Sequence, residues 1–143
     1  MSMRRIIVSL ALLASPAAFA QAIEHCPQPS SIVERHGVHV APARSSGHEW
    51  IGIAAPGNGG AVLRFDEGVF YPDEASASQG EVAHCSYKLE RGHLDMAYQG
   101  EAGRPKVALV DTNAWVREAG PFGIVYYACT GKNAAECTFR KIF

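Results

Sequence analysis

From Ser31 onward the apolar residues of this chain fall in short runs rich in Val, Ile, Tyr and Phe, bounded by Gly, Pro, Asn or Asp. A period of two in such runs places alternate side chains on opposite faces of a strand. The clearest case is Leu94-Asp95-Met96-Ala97-Tyr98-Gln99, where Leu94, Met96 and Tyr98 share one face, and Ala83, Cys85, Tyr87 and Leu89 repeat the pattern. Strands are predicted over Ile32 to Val40, Glu49 to Ala54, Ala61 to Phe65, Gly68 to Tyr71, Val82 to Leu89, Leu94 to Gln99, Lys106 to Val110, Phe122 to Cys129 and Cys137 to Ile142. Ala55 to Gly60 and Pro72 to Gly80 read as loops by composition. Asp111 or Thr112 suits the N-cap of a short helix, so Asp111 to Ala119 is read as a helical turn carrying Trp115, with continuation of the sheet, for which the flanking strands argue, as the alternative. Short strands with brief connections, and no long crossover helices, predict an all-β fold with one short helix: a small antiparallel β-sandwich or barrel.

The first twenty residues follow a different pattern. Arg4 and Arg5 precede an apolar run from Ile6 to Leu13, and Ala18-Phe19-Ala20 puts small residues where a signal peptidase reads. Residues 1–20 are therefore expected to be a cleaved signal peptide. The run is shorter than the roughly 20 residues needed to cross a bilayer and ends at Ser15-Pro16. No membrane span is expected after cleavage, and the mature chain, 21–143, is expected to be one β-rich domain of the periplasm or extracellular space.

Charge narrows the partners. The leader holds two of the thirteen Lys and Arg and none of the fourteen acids, which leaves the mature part mildly acidic. Its basic residues are scattered apart from Arg140-Lys141, so nucleic acid is not an expected partner.

All four cysteines, Cys26, Cys85, Cys129 and Cys137, lie in the mature part, and an even count in an exported chain reads as two disulfides. Three pairings are possible. Cys129 with Cys137 is favoured, because the strands around them are joined by a loop, Thr130 to Glu136, short enough for a hairpin; Cys26 with Cys85 is then the remaining pair. The short bridge would contribute about 2 to 3 kcal/mol and the long one about 4 on the loop-entropy account. With no C-x-x-C and no paired Cys/His cluster, neither a metal nor a redox role is expected for these thiols.

The candidate chemistry is sparse. Among the histidines, His36-Gly37-Val38-His39 is the densest pair, but residues three apart on a strand face opposite ways and could meet one metal only through a turn at Gly37. His93 and Asp95 share a face, and His84 from the preceding strand could join them. Ser45-Ser46-Gly47-His48 reads as a polar loop, since no G-x-S-x-G elbow is present. Asp66-Glu67 and Asp73-Glu74 read as solvated turn residues, because adjacent carboxylates on a loop point apart. Gly131-Lys132 lacks the earlier glycine of a phosphate loop; Tyr126 stands there. Trp50 and Trp115 read as core, and of Tyr126 and Tyr127 one is expected inside and the other outside. No catalytic, metal or cofactor residue is assigned.

The succession Cys26-Pro27, Ile32, Trp50, Cys85-x-Tyr87, Leu94-x-Met96, Trp115, Tyr127-x-Cys129 and Cys137-x-Phe139 resembles a family of small exported proteobacterial proteins with a disulfide-bonded domain of unknown function. The resemblance spans nearly all of the mature chain. It implies a disulfide-bonded secreted domain and carries over no catalytic or ligand residue.

Two functional expectations follow. The preferred one is a non-enzymatic exported binding protein, such as an inhibitor, an immunity-type protein or an envelope accessory protein, whose partner is another envelope or secreted protein. Recognition by a sheet edge, or by the Ala55 to Gly60 and Pro72 to Gly80 loops, would suit it. The alternative is a small secreted hydrolase or metal-dependent enzyme using His36, His39, His84, His93 or Asp95.

Overall fold

The structure, a computed structural model, describes residues 22–74, 77, 79–131 and 133–142. The expected signal peptide lies outside these residues, as do parts of the Pro72 to Gly80 loop. Eleven strands follow one another: β1 (Ile23–His25), β2 (Val33–Arg35), β3 (Val38–Pro42), β4 (Glu49–Ile53), β5 (Gly59–Pro72), β6 (Gly80–Arg91), β7 (His93–Gln99), β8 (Val107–Leu109), β9 (Val116–Ala119), β10 (Val125–Thr130) and β11 (Thr138–Lys141). Every pairing is antiparallel, and the sheet curls into a half-barrel.

The sheet forks at β6. One edge of β6 is paired along its length with β5, which leads on to β10 and β9. The other edge divides: Cys85 to Lys88 pairs with β7, continuing to β4, β3 and β2, while Gly80 pairs with β8, continuing to β11 and β1. Aromatic packing ties the two arms together. Trp50 on β4, Tyr98 on β7 and Phe139 on β11 pack with ring centroids 5.1 to 6.0 Å apart. Burying these rings supplies the apolar drive that closes the sheet.

The alternation read from the sequence holds where it is clearest: Leu94, Met96 and Tyr98, and Ala83, Cys85, Tyr87 and Leu89, are all buried. Trp50 and Trp115 are core residues, Tyr127 packs partly against the core, and Tyr126 sets its ring beside Tyr71. The disulfides join Cys26 to Cys85 and Cys129 to Cys137, all four cysteines being inaccessible to solvent. Gly68 lies opposite Cys85 on β5, where a Cβ would press on Cys26 Sγ at 3.1 Å and on the Trp115 ring at 3.0 Å, so a larger residue would have to push one of them aside. The Tyr87 hydroxyl donates to the Pro27 carbonyl at 2.6 Å beside this bridge, and burial raises the pKa of Tyr87 above its ordinary value.

Five expectations need correction. The strands around Cys129 and Cys137 are bridged but form no hairpin, because β10 pairs with β5 and β9 while β11 pairs with β1 and β8. Ile32 to Val40 is a hairpin, β2 and β3, because His36 and Gly37 both take positive φ and form a two-residue turn between Arg35 and Val38. Ala61 to Phe65 and Gly68 to Tyr71 belong to one strand, β5, which β-bulges carry through Asp66-Glu67 without a turn. Asp111 to Ala119 contains a turn, in which the Asp111 carboxylate accepts the Asn113 backbone N–H, followed by strand β9 paired with β10 in place of a helix. The strand expected from Phe122 begins at Val125; Phe122 and Gly123 are the turn before it. Strand β1, too short to show a period, went unread.

Candidate functional site

Pairing of β10, β5, β6 and β7 sets Thr130, Glu67, Ser86 and Asp95 in one row across the outer face of the sheet. Cys85 and Tyr87 point inward, so the intervening Ser86, with its neighbours His84 and Lys88, points outward. Asp66, Glu67, His84, Ser86, His93, Asp95 and Thr130 line an open groove of about 450 Å³. The structure thus brings together His84, His93 and Asp95, as their strand positions suggested. Asp66 joins them because it is the extra residue of a bulge between Phe65 and Glu67. The Ser86 hydroxyl donates to Asp95 at 2.5 Å, and Arg64 Nε donates to Asp66 at 3.2 Å. Three carboxylates and two imidazoles make a polar trough, but among the described residues no three His, Cys, Asp or Glu side chains are placed to hold a metal ion.

The other histidines lie elsewhere. His36 is exposed at the β2–β3 turn, whereas His39 is buried on β3. His48 stacks on Tyr98 at 5.3 Å and its Nδ1 donates to the Ser46 carbonyl at 3.0 Å, so Ser45-Ser46-Gly47-His48 is a loop folded on itself. Buried Glu24 fastens that loop by accepting the backbone N–H groups of Arg44 and Ser45 at 3.1 and 2.5 Å. Burial pushes the pKa of Tyr98 up to about 12, helped by the nearby Glu24 charge. Asp73, at the base of the Pro72 to Gly80 loop, pairs with Lys106 at 2.5 Å. That hydrogen bond raises the pKa of Lys106.

The β9–β10 hairpin carries a feature that sequence reasoning missed. Gly120 N–H bonds the Ile124 carbonyl at 2.7 Å and Ile124 N–H bonds the Pro121 carbonyl at 3.2 Å, which closes a turn with Phe122 (φ 59°) and Gly123 (φ 76°) at its centre. Left-handed backbone is an outlier for a residue as bulky as Phe. Its ring is nevertheless fully exposed, with Val116 and Ile124 of the same hairpin more than half or half exposed. In sequence the signal was Gly120-Pro121-Phe122-Gly123 ahead of the apolar run from Ile124, and it was masked because Phe is itself a good strand residue.

These features define a disulfide-braced antiparallel half-barrel that displays an apolar hairpin tip and a polar outer groove. The chain belongs to a protein family of unknown function, DUF3757, which it matches over residues 20–140. Among curated proteins and solved structures no match is found.

Proposed function

We propose that the protein is a non-enzymatic exported binding protein of the periplasm or extracellular space that grips a partner protein with the tip of its β9–β10 hairpin. The observation that carries this reading is Phe122, an apolar ring held out in solvent on a backbone conformation unfavourable to it. Exposed aromatics are the residues that anchor protein interfaces when they enter a partner's pocket. The two disulfides fit an oxidising compartment, as does the leader-like 1–20 segment. Among the described residues no helix is long and apolar enough to cross a membrane. An inhibitor, an immunity-type protein and an envelope accessory protein all match this reading. It replaces the Ala55 to Gly60 and Pro72 to Gly80 loops with the hairpin tip as the principal contact. Of the residues the hydrolase alternative would use, His36 and His39 lie on a different hairpin from the groove that holds His84, His93 and Asp95.

The test is affinity purification of the oxidised mature protein from envelope and culture-supernatant fractions of its host, beside Phe122→Ala. We expect one stoichiometric partner with the parent protein and at least about tenfold less with the variant, as for truncation of an anchor residue. Recovery of the protein alone, or equal recovery by both, would overturn the proposal.

A further inference from the structure

Glu24 and His39 are the buried polar side chains of the described residues, and they are served very differently. Glu24 has two backbone N–H donors. His39 is 6% exposed, and its Nδ1 is cut off from solvent without any hydrogen-bond partner. Buried polar atoms are ordinarily paired, so an orphan of this kind asks for an explanation. What exposure the side chain has opens onto a groove of about 380 Å³ at the end of the sheet, between the β2–β3 hairpin and the start of β5.

The walls of that groove are specific. Glu34 on β2 is the cross-strand partner of His39, so the two share a face. Ser30 lines the same space, while Pro29, Ile32 and Val62 give it apolar walls. On the β5 side, the register shift between Gly59 and Val62 leaves Gly60 and Ala61 out of the ladder with β6, a bulge of the sort that often adjoins a binding site. Glu34 is the one carboxylate that lines the groove, and no lysine or arginine faces it there. A cation therefore suits the groove and an anion does not. The χ2 torsion of histidine is broad and roughly two-fold, so rotation of the ring can turn a nitrogen toward the groove.

We propose that this groove binds a small organic ammonium ion, its N–H donors shared by the Glu34 carboxylate, a His39 ring nitrogen and the Ser30 hydroxyl, with a short apolar tail against Ile32 and Val62. An ammonium group has three donors and no acceptor, which matches three acceptors around one apolar cleft. The site is separate from the Phe122 hairpin and does not depend on partner binding there.

The test is NMR titration of the full mature protein with n-pentylammonium, and with pentanoate and 1-pentanol as probes of equal chain length, following the His39 ring and the Ala61 amide. Pentylammonium is expected to shift both signals saturably within about tens of millimolar, as a weak small ligand would. Glu34→Gln, at an exposed position, is expected to weaken that binding about fivefold or more. His39→Phe, which fills the space without ring nitrogens, is expected to weaken it as read at Ala61. If His39→Phe does not fold, Glu34→Gln decides alone. No saturable shift with pentylammonium, an equal response to pentanoate or pentanol, or a titration that Glu34→Gln leaves unchanged would each overturn the site.

Discussion

The β2–β3 and β9–β10 hairpins lie at opposite ends of the sheet and close with the same backbone device. In each, a non-glycine residue and then a glycine take positive φ: His36 (53°) and Gly37 (81°) in one, Phe122 (59°) and Gly123 (76°) in the other. These are the two positive-φ residues other than glycine among the described residues. Histidine is several-fold enriched in that conformation and bulky apolar residues are not. The turn geometry is therefore sufficient reason for a small polar residue and no reason for phenylalanine. The difference separates what the fold needs from what it merely tolerates, and the tolerated residue is an apolar ring fully exposed to solvent.

The largest effects come from the bridges that anchor these hairpins. Both arms meet at β6, where Cys26–Cys85 is set, while Cys129–Cys137 fastens only the end of β10 to the start of β11. Replacing Cys26 and Cys85 with alanine is expected to cost about 4 kcal/mol and to lower hydrogen-exchange protection in both hairpins. The same change at Cys129 and Cys137 is expected to cost about 2 to 3 kcal/mol, with the loss of protection concentrated in β9–β10. Equal loss in the two hairpins after the second change would break the comparison, since it would make them one cooperative unit. Urea midpoints and amide exchange of the two double variants measure both quantities.

That distinction rests on tertiary pairing, and so do the limits of what the sequence discloses. Alternation along Leu94 to Tyr98 and Ala83 to Leu89 is legible because each strand has one wet face and one dry face. The Cys129–Cys137 bridge is legible because its loop is short, whereas the hairpin inferred with it is not there: β10 pairs with β5 and β9, and β11 with β1 and β8. Strand β5 is not, since its bulges interrupt the period and its Asp66-Glu67 step imitates a turn. Nor is β9 legible: all four of its residues are exposed, so no apolar face marks it. The groove divides in the same way. His84, His93 and Asp95 can be placed together from spacing on neighbouring strands, whereas Asp66, Glu67 and Thr130 arrive from β5 and β10, whose register no local pattern specifies. The turn at Gly37 that would be needed to bring His36 and His39 to one metal is present, yet it divides the two histidines between an exposed tip and a buried strand position.

Phe122→Asn sharpens the comparison at intermediate size. Asparagine followed by glycine is the preferred pair for a turn of this kind, and the fully exposed ring makes no buried contact to lose. Stability is expected to rise by about 1 kcal/mol, read as a higher urea midpoint at unchanged slope. The same variant is expected to lose the partner retained by the parent protein. A gain in stability with a loss of binding would mean that the strained aromatic serves recognition at the expense of the fold. A loss of stability would instead show that Phe122 packs in solution and that its exposure is not its working state.

The smallest effect belongs to His36→Asn, the matching change in the β2–β3 turn. Histidine already accommodates positive φ and is exposed there, so the gain is expected to be only a few tenths of a kcal/mol. Both variants place asparagine at a positive-φ position before a glycine, one in a two-residue turn and the other in the longer Gly120–Ile124 connection, so the difference between their gains reports chiefly what the ring of Phe122 costs its turn. If His36→Asn stabilised as much as Phe122→Asn, the strain would belong to the turn rather than to phenylalanine, and the argument that singles out the β9–β10 tip would fail on stability grounds. If it stabilised by a clearly smaller amount, the excess at Phe122 would stand as the part of the strain that turn geometry does not explain.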